Sequence, residues 1–282
     1  MQDQNFMRLM SFLPKSALST AVGWLTRLSA PPALHQRAMR RFARAYQINL
    51  DEAEHPIEDY KKFSDFFSRK LKTGLRTLEG GSNVVVSPVD GALSRAAYVD
   101  NGQCIQAKGV SFPLEKLLMD AKQAQCFEGG AYATIYLAPR DYHRIHAPLG
   151  GTIEGFAYIP GEFWPVNAAS VRLKDALFCI NERLITYLNT PLGRCAVVKV
   201  GATCVSRIRA SYTDRVTHTG GKQAHHTFET PLKIEKGDEL GAFEMGSTVV
   251  MVFEPSSFRW DETLQPDQPV QWGNRLGQGA VK

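Results

Sequence analysis

Two patterns of hydrophobic positions divide the chain near residue 80. Before that point, apolar residues recur at helical spacing over residues 34–46 and again over 57–71. Beyond it, short runs of β-branched and aromatic residues alternate with glycine and proline, which is typical of antiparallel strands. The clearest runs are 84–86, 131–137, 152–158, 183–187, 196–200 and 249–253.

These patterns predict an α+β protein. A helical N-terminal arm over residues 1–80 is followed by a β-rich body over 81–282, either an antiparallel sheet or a barrel-like structure. One short helix is expected within the body at 113–120, with Ser111 near its N-cap and Pro113 in its first turn.

Basic residues are concentrated in the arm. Residues 1–50 hold seven Lys or Arg against Asp3 alone, a charge of +6, whereas the whole chain carries +5 and the remainder therefore −1. Charged residues interrupt each apolar run before it reaches the ~18 residues that a membrane span needs, and no secretory signal is expected. Two interpretations stay open: the arm lies on an anionic membrane, or its apolar residues pack on the protein's own core. No nucleic-acid-binding motif accompanies the basic residues, so nucleic acid is not an expected partner.

The five cysteines are scattered, odd in number and never paired as C-x-x-C. This usage favours reduced thiols in a cytosolic compartment rather than disulfides or a metal site. With 44% hydrophobic and 22% charged residues, the chain has the composition of an ordinary globular protein.

Asp90 is the first candidate for chemistry. It lies in "SPVDGAL", residues 87–93, directly after a predicted strand. Asp-Gly pairs favour tight turns, because Asp bonds its own backbone and Gly accepts positive φ. By itself the motif predicts a turn, with Asp90 available as a catalytic carboxylate.

A pair of histidines is the second candidate. His143 and His146 stand three residues apart in "YLAPRDYHRIHAPLGG", residues 136–151. They could be a metal pair, structural histidines bonded to the backbone, or general acid–base groups, since imidazole titrates near neutrality. No third ligand lies nearby in the sequence, so no metal site is expected.

The third candidate is Gly246-Ser247-Thr248, directly before the apolar run 249–253. The G-x-S-x-G motif of a serine hydrolase is missing here. The simplest interpretation is a hairpin in which 241–246 pairs with 249–253. Alternatively, the Ser247 hydroxyl attacks the unhindered Gly246 carbonyl, and the N→O acyl shift is followed by β-elimination. That sequence of steps cuts the chain and converts Ser247 to a pyruvoyl group.

Taken together, these segments resemble the phosphatidylserine decarboxylase family. "GAFEMGSTVVMVFEP" is similar to the family's processing site, "YLAPRDYHRIHAP" to its histidine segment and "SPVDG" to its aspartate turn. Further matches follow in family order: "FSDFFSRKLKTGLR", "KGVSFPLEKLL", "LFCINER" and "GATCVSRI". The sequence departs from the family pattern at Thr77 and Ala168, where proline is common, and at Ile180, where arginine is frequent.

The resemblance implies a role for each candidate. Asp90, His146 and Ser247 would form a charge-relay set for self-cleavage between Gly246 and Ser247, with His146 as the base and Asp90 orienting its ring. His143 would contact the substrate's head group or supply a proton during decarboxylation. The products are chains 1–246 and 247–282, which stay associated as a heterodimer. The implied cofactor is pyruvate, as a covalent pyruvoyl group derived from Ser247. It would decarboxylate phosphatidylserine to phosphatidylethanolamine and CO2.

Two alternatives stay open. A pyruvoyl decarboxylase of a soluble amino acid would share the Gly-Ser chemistry but would not need a cationic, apolar arm. A non-enzymatic, lipoyl-carrier-like domain would use "IEKGDELGAFE", residues 234–244, as a simple hairpin in a binding or docking role and would remain uncut. A lipid substrate favours the membrane interpretation of the arm, so we expect a peripheral protein on the cytoplasmic side of the cell membrane.

Overall fold

The computed structural model describes residues 2–28, 31–106, 110–203, 207–214, 217, 221–244, 247–255 and 258–279. The N-terminal part is helical, and strands begin at Val84. The α-helices are α1 (Gln2–Phe12), α2 (Lys15–Arg27), α3 (Pro32–Tyr46), α4 (Phe63–Phe67), α5 (Leu114–Leu118), α6 (Ala121–Cys126), α7 (Ala168–Leu173) and α8 (Leu177–Ile180). Two 3₁₀ turns span Leu50–Glu52 and Ile57–Asp59.

Sixteen strands are present in the described part of the chain. They are β1 (Val84–Val86), β2 (Gly91–Tyr98), β3 (Gln103–Ile105), β4 (Ser111–Pro113), β5 (Ala131–Tyr136), β6 (Arg144–His146), β7 (Gly151–Ile159), β8 (Arg183–Thr190), β9 (Gly193–Val200), β10 (Ile208–Ala210), β11 (Ala224–Ile234), β12 (Glu239–Phe243), β13 (Thr248–Phe253), β14 (Arg259–Trp260), β15 (Gln268–Val270) and β16 (Arg275–Gln278).

Eight of these strands form one antiparallel sheet, in the order β11-β7-β8-β9-β13-β5-β2-β15. Its edge strands β11 and β15 do not pair with each other within the described residues, so the sheet is open. Smaller sheets have the orders β1-β16-β14, β10-β12-β6 and β3-β4. The mixed α+β content is confirmed, and of the two architectures expected for the body the open sheet is the one that forms.

Strand β13 lies near the middle of the large sheet, between β9 and β5. All six of its residues are buried, as expected of a strand whose sheet is covered on both faces. This position accounts for the uninterrupted apolar run that follows Ser247 in the sequence.

The predicted hairpin between 241–246 and 249–253 is wrong. Strand β12 pairs with β10 and β6 in a different sheet. Both edges of β13 are already hydrogen-bonded to β5 and β9, which leaves no edge for β12. Gly246, the other half of the proposed scissile bond, lies outside the described residues.

The helical arm follows its prediction in part. The helix expected over 34–46 is confirmed as α3, with Pro32 in its first turn. The single helix expected over 57–71 is wrong, because the backbone is extended at Tyr60 and Lys62 and divides it into a 3₁₀ turn and α4. Tertiary packing outweighs helical spacing here, since Tyr60 and Phe63 both pack beside Phe66 in a small second core.

The helix expected at 113–120 is shorter than predicted. It ends at Leu118, because Met119 adopts a left-handed conformation, and Asp120 then caps the next helix, α6. Ser111 belongs to strand β4 rather than to an N-cap.

The arm also contacts the body. Met10 of α1 is buried in the main core, and Arg172 of α7 forms an ion pair with Asp3. No helix among the described residues is both long and apolar enough to cross a bilayer. The division into residues 1–80 and 81–282 remains a prediction.

Candidate active site

Strand register brings the three predicted segments to one end of the large sheet. Tyr136, the last residue of β5, pairs with Ala92 near the start of β2 and with Thr248 at the start of β13. Asp90 directly precedes β2, Ser247 directly precedes β13, and the histidine loop follows β5. Residues far apart in the sequence therefore meet at the same end of the large sheet.

Ser247 is fully buried. Its carbonyl oxygen accepts a hydrogen bond of 2.9 Å from the backbone N–H of Leu137. Its Oγ is also buried and has no hydrogen-bond partner among the described residues. Burying a hydroxyl without a hydrogen-bond partner costs free energy of folding. Core packing alone therefore does not account for a serine at this position.

His143 is fully buried against Phe67, with 4.2 Å between the ring centroids. Its Nδ1 lies 2.8 Å from the carbonyl oxygen of Asp141. Because a carbonyl only accepts, Nδ1 carries the proton and Nε2 is left as an acceptor. That Nε2 is buried and makes no hydrogen bond to the described part of the chain. Burial lowers the pKa of His143 to about 3, so the ring is neutral at pH 7.

His146 is held on three sides. Its Nδ1 donates to the carbonyl oxygen of Gly237 at 2.7 Å, and its Nε2 accepts from the hydroxyl of Tyr142 at 3.1 Å. The ring stacks on Trp272. Burial lowers the pKa of His146, and the hydrogen bond to Gly237 partly opposes that shift. The result is a neutral imidazole of fixed tautomer whose basic nitrogen is Nε2.

The turn at Gly237 depends on glycine. Its φ of +89° is disfavoured for other residues, and an added Cβ would lie 2.7 Å from Cδ1 of Leu78. This conformation lets the Gly237 carbonyl reach the ring of His146.

Asp90 is buried beside Arg76. Its Oδ2 lies 2.5 Å from Nη2 of Arg76, and its Oδ1 accepts the backbone N–H of Trp272 at 2.8 Å. Arg76 also pairs with Glu52 at 2.9 Å. Burial by itself lowers the pKa of Arg76, but the hydrogen bonds and charges of Asp90 and Glu52 together outweigh it and raise the pKa.

Trp272 joins two of the predicted residues. Its backbone binds Asp90 while its side chain stacks on His146. Among the described residues, however, no hydrogen bond connects any two of Asp90, His146 and Ser247. The charge relay therefore remains a prediction, as does the separate role of His143.

Sequence reasoning missed four residues of this site: Arg76, Tyr142, Gly237 and Trp272. Arg76 and Tyr142 lie inside the segments that carry the family resemblance. Trp272 lies in the C-terminal part with no motif around it, and only the fold places it on His146.

Two cavities adjoin this end of the sheet. The larger, about 540 Å³, is lined by residues that include Asp90, Arg76, Tyr136 and Tyr142. The smaller, about 330 Å³, is lined by Phe67, Tyr136, Leu137, Val166 and Asn167 among others. Both volumes are in the range of small-molecule sites. The described residues contain no cluster of three or more His, Cys, Asp or Glu suited to a metal ion.

Residues 63–278 match the family model described as phosphatidylserine decarboxylase. The chain belongs to the phosphatidylserine decarboxylase family. It is therefore an enzyme of the decarboxylase class, as the motifs around Asp90, His143 and Ser247 predicted.

Curated relatives cover nearly the whole chain. A phosphatidylserine decarboxylase proenzyme of Myxococcus xanthus (strain DK1622) is 59% identical over 277 residues, 98% of this chain and 99% of the relative. A proenzyme of the same name from Anaeromyxobacter sp. (strain K) is 52% identical, over 99% and 100% of the two chains. One from Acinetobacter baumannii (strain AYE) is 40% identical, over 96% and 95%.

Proposed function

We propose that this phosphatidylserine decarboxylase family member cuts itself between Gly246 and Ser247. The pyruvoyl group formed from Ser247 then serves in the conversion of phosphatidylserine to phosphatidylethanolamine and CO2. The observation that carries the proposal is the buried hydroxyl of Ser247 at the start of β13, which has no hydrogen-bond partner among the residues that the structure describes. It occurs in a chain whose close relatives are named proenzymes.

In self-cleavage the Ser247 oxygen attacks the Gly246 carbonyl, and the amide becomes an ester. β-Elimination then releases residues 1–246 with a C-terminal carboxylate and leaves dehydroalanine at position 247. Water converts this to the pyruvoyl ketone and releases the nitrogen as ammonia. These steps consume only water, and their atoms and electrons balance without an external oxidant, a metal or an added group.

The surroundings of residue 247 suit a pyruvoyl group. The backbone N–H of Leu137 binds the carbonyl of residue 247, and that carbonyl is retained when the chain is cut. Strand β13 is hydrogen-bonded on both edges to strands of the larger chain, so the 247–282 chain would stay associated. When formed, the pyruvoyl group supplies the electron sink that loss of CO2 requires.

The two histidines suit different roles, His146 in self-cleavage and His143 in decarboxylation. Nε2 of His146 is kept as the acceptor by the bond from Nδ1 to Gly237, which suits a base for the Ser247 hydroxyl. Its present partner, the Tyr142 hydroxyl, would have to move aside or relay the proton. His143 has a neutral ring, and its Nε2 makes no hydrogen bond to any residue in the described ranges, which suits a role in holding or moving a proton at the substrate.

The arm supports attachment to a membrane surface. Large apolar side chains on α1 and α2 are exposed, with Phe12 86% and Trp24 62% accessible. On α3, four exposed arginines line one cleft: Arg37, Arg40, Arg41 and Arg44. Exposed aromatics beside clustered arginines are typical of helices that lie on anionic lipid. We infer a peripheral protein on the cytoplasmic side of the cell membrane.

Intact-mass measurement of the purified wild-type chain tests the proposal. We expect fragments of residues 1–246 and 247–282, the smaller without a free α-amine, and a single uncut chain for Ser247→Ala. An uncut, folded wild-type protein would refute self-cleavage. Release of CO2 from phosphatidylserine in mixed micelles, compared with free serine, then separates a lipid decarboxylase from one that acts on a soluble amino acid.

A further inference from the structure

Arg69 is a buried arginine whose guanidinium is incompletely satisfied. The residue is only 4% exposed. Its Nη2 donates to the carbonyl oxygen of Arg140 at 3.2 Å, and the group lies over the ring of Phe66, 5.6 Å from its centroid. Its Nε and Nη1 are buried and have no hydrogen-bond partner among the described residues.

No carboxylate of the described residues lies within ion-pairing distance, 4.0 Å, of Arg69. The nearby acids are already engaged: Glu52 and Asp90 share Arg76, and Oδ2 of Asp141 accepts the backbone N–H of Ala138. Burial lowers the pKa of Arg69, whereas paired Arg76 has a raised pKa. Since arginine keeps its charge in proteins, Arg69 is a buried cation. The acids near it, Glu52, Asp90 and Asp141, act on it only from beyond ion-pairing distance, an arrangement that is costly without a bound anion.

Arg69 lines the cavity of about 540 Å³. This volume is sufficient for a phospholipid head group. The lining also carries the carboxylate of Asp267, which suits a ligand that bears an ammonium group as well as an anion.

The cavity is in contact with the candidate active site. Asp90 is part of its wall, and so is Tyr142, whose hydroxyl binds His146. Tyr136, also in the wall, pairs with Thr248 next to Ser247. Two residues before Arg69, Phe67 packs on His143. A ligand held by Arg69 would therefore lie next to the residues proposed to carry the reaction.

We propose that Arg69 binds an oxyanion in this cavity, namely the phosphate or the carboxylate of the phosphatidylserine head group. The inference rests on the proposed function for its choice of lipid, but the oxyanion site itself does not. Inorganic phosphate offers the same chemistry, so the experiment distinguishes the two sources.

The test compares Arg69→Met with a matched surface variant, Arg259→Met, whose arginine is exposed on β14 and is not part of the cavity wall. Each protein is checked for cutting by intact mass, and KM and kcat are measured with phosphatidylserine in mixed micelles. Loss of a charged hydrogen bond predicts a KM raised about tenfold or more for Arg69→Met, and no change for Arg259→Met. A cut, active Arg69→Met enzyme with KM within twofold of wild type overturns the inference.

Ligand-induced thermal stabilisation gives an independent reading that does not need activity. Glycerophosphoserine should raise the Tm of the wild type and of Arg259→Met but not that of Arg69→Met. If inorganic phosphate stabilises the wild type equally well, the head-group assignment is wrong and the oxyanion site stands. If neither compound stabilises the wild type, the site is refuted, even where Arg69→Met fails to fold. An uncut wild type that glycerophosphoserine still stabilises would contradict the proposed function and leave the oxyanion site supported.

Discussion

The indole of Trp272 lies flat on the imidazole of His146, with 4.1 Å between the ring centroids and 11° between the planes. The backbone N–H of Trp272 donates to Asp90 at 2.8 Å. A residue of the proposed small chain therefore supports two residues of the large chain that are expected to act in self-cleavage.

Trp272→Leu should slow self-cleavage because it removes the flat surface that orients His146. A misplaced catalytic group costs about tenfold to a hundredfold in rate. Trp272→Phe retains an aromatic face and should cut at a rate closer to the wild type. The fraction cut over time, followed by mass spectrometry, checks this. Equal rates for Trp272→Leu and wild type would show that stacking does not position His146.

The two histidines should respond differently to replacement by alanine. His146→Ala removes the proposed base and should leave one uncut chain. His143→Ala should still be cut, with kcat for phosphatidylserine decarboxylation lowered by about a hundredfold or more, as for loss of a general acid or base. Mass and CO2 release are measured on the same preparations. If His143→Ala is fully active, or if His146→Ala is cut normally, the assignment is wrong.

Lys199 is a buried amine that should destabilise the protein at neutral pH. Its Nζ donates to the hydroxyl of Thr186, and burial lowers the pKa of Lys199 from 10.5 to about 7. Between these values the unfolded chain binds a proton that the folded chain does not. Stability should therefore fall as pH is lowered from about 10.5 to 7, with a slope approaching about 1.4 kcal/mol per pH unit.

Lys199→Met should raise the free energy of unfolding at pH 7.5 and remove this slope. Lys233→Met is the matched control, because the side chain of Lys233 is 82% exposed. Urea unfolding at several pH values between 7 and 10 measures both variants. A Lys199→Met protein that is less stable than wild type at pH 7.5 would contradict the prediction.

The arginines of α3 should contribute to membrane binding. Replacing Arg37, Arg41 and Arg44 together by glutamine should weaken binding to anionic vesicles by about 1 kcal/mol per arginine. Sedimentation with vesicles of phosphatidylglycerol and phosphatidylcholine measures this, and added salt should reduce the difference. Arg259→Gln, which removes one exposed arginine outside the arm, gives the effect of a single lost charge elsewhere on the surface. Unchanged binding by the triple variant would exclude this face of α3 as the lipid contact.

The sequence predicted a helix or strand correctly where the pattern of neighbouring residues decides the structure. The proline start of α3 and the apolar run of β13 were both visible, because helical spacing and strand composition act over a few residues. The break at Tyr60 and Lys62 was not visible, since it depends on packing against Phe66.

The same contrast applies to the site. Asp90, His143, His146 and Ser247 could be named from motifs, and the family they indicated is confirmed by the match over 63–278. Their partners could not be named. Asp90 binds Arg76 and Trp272, and His146 binds Tyr142 and Gly237.

By itself, the sequence determined which side chains are available for chemistry and that an apolar strand follows Ser247. Only the tertiary structure decided that this strand lies between β5 and β9 rather than in a hairpin with β12. It also decided that Arg69 is buried with no carboxylate paired to it in the described part of the chain. The physical reason is that strand pairing and charge compensation depend on groups distant in the chain, whereas motifs and periodicity report only on neighbours.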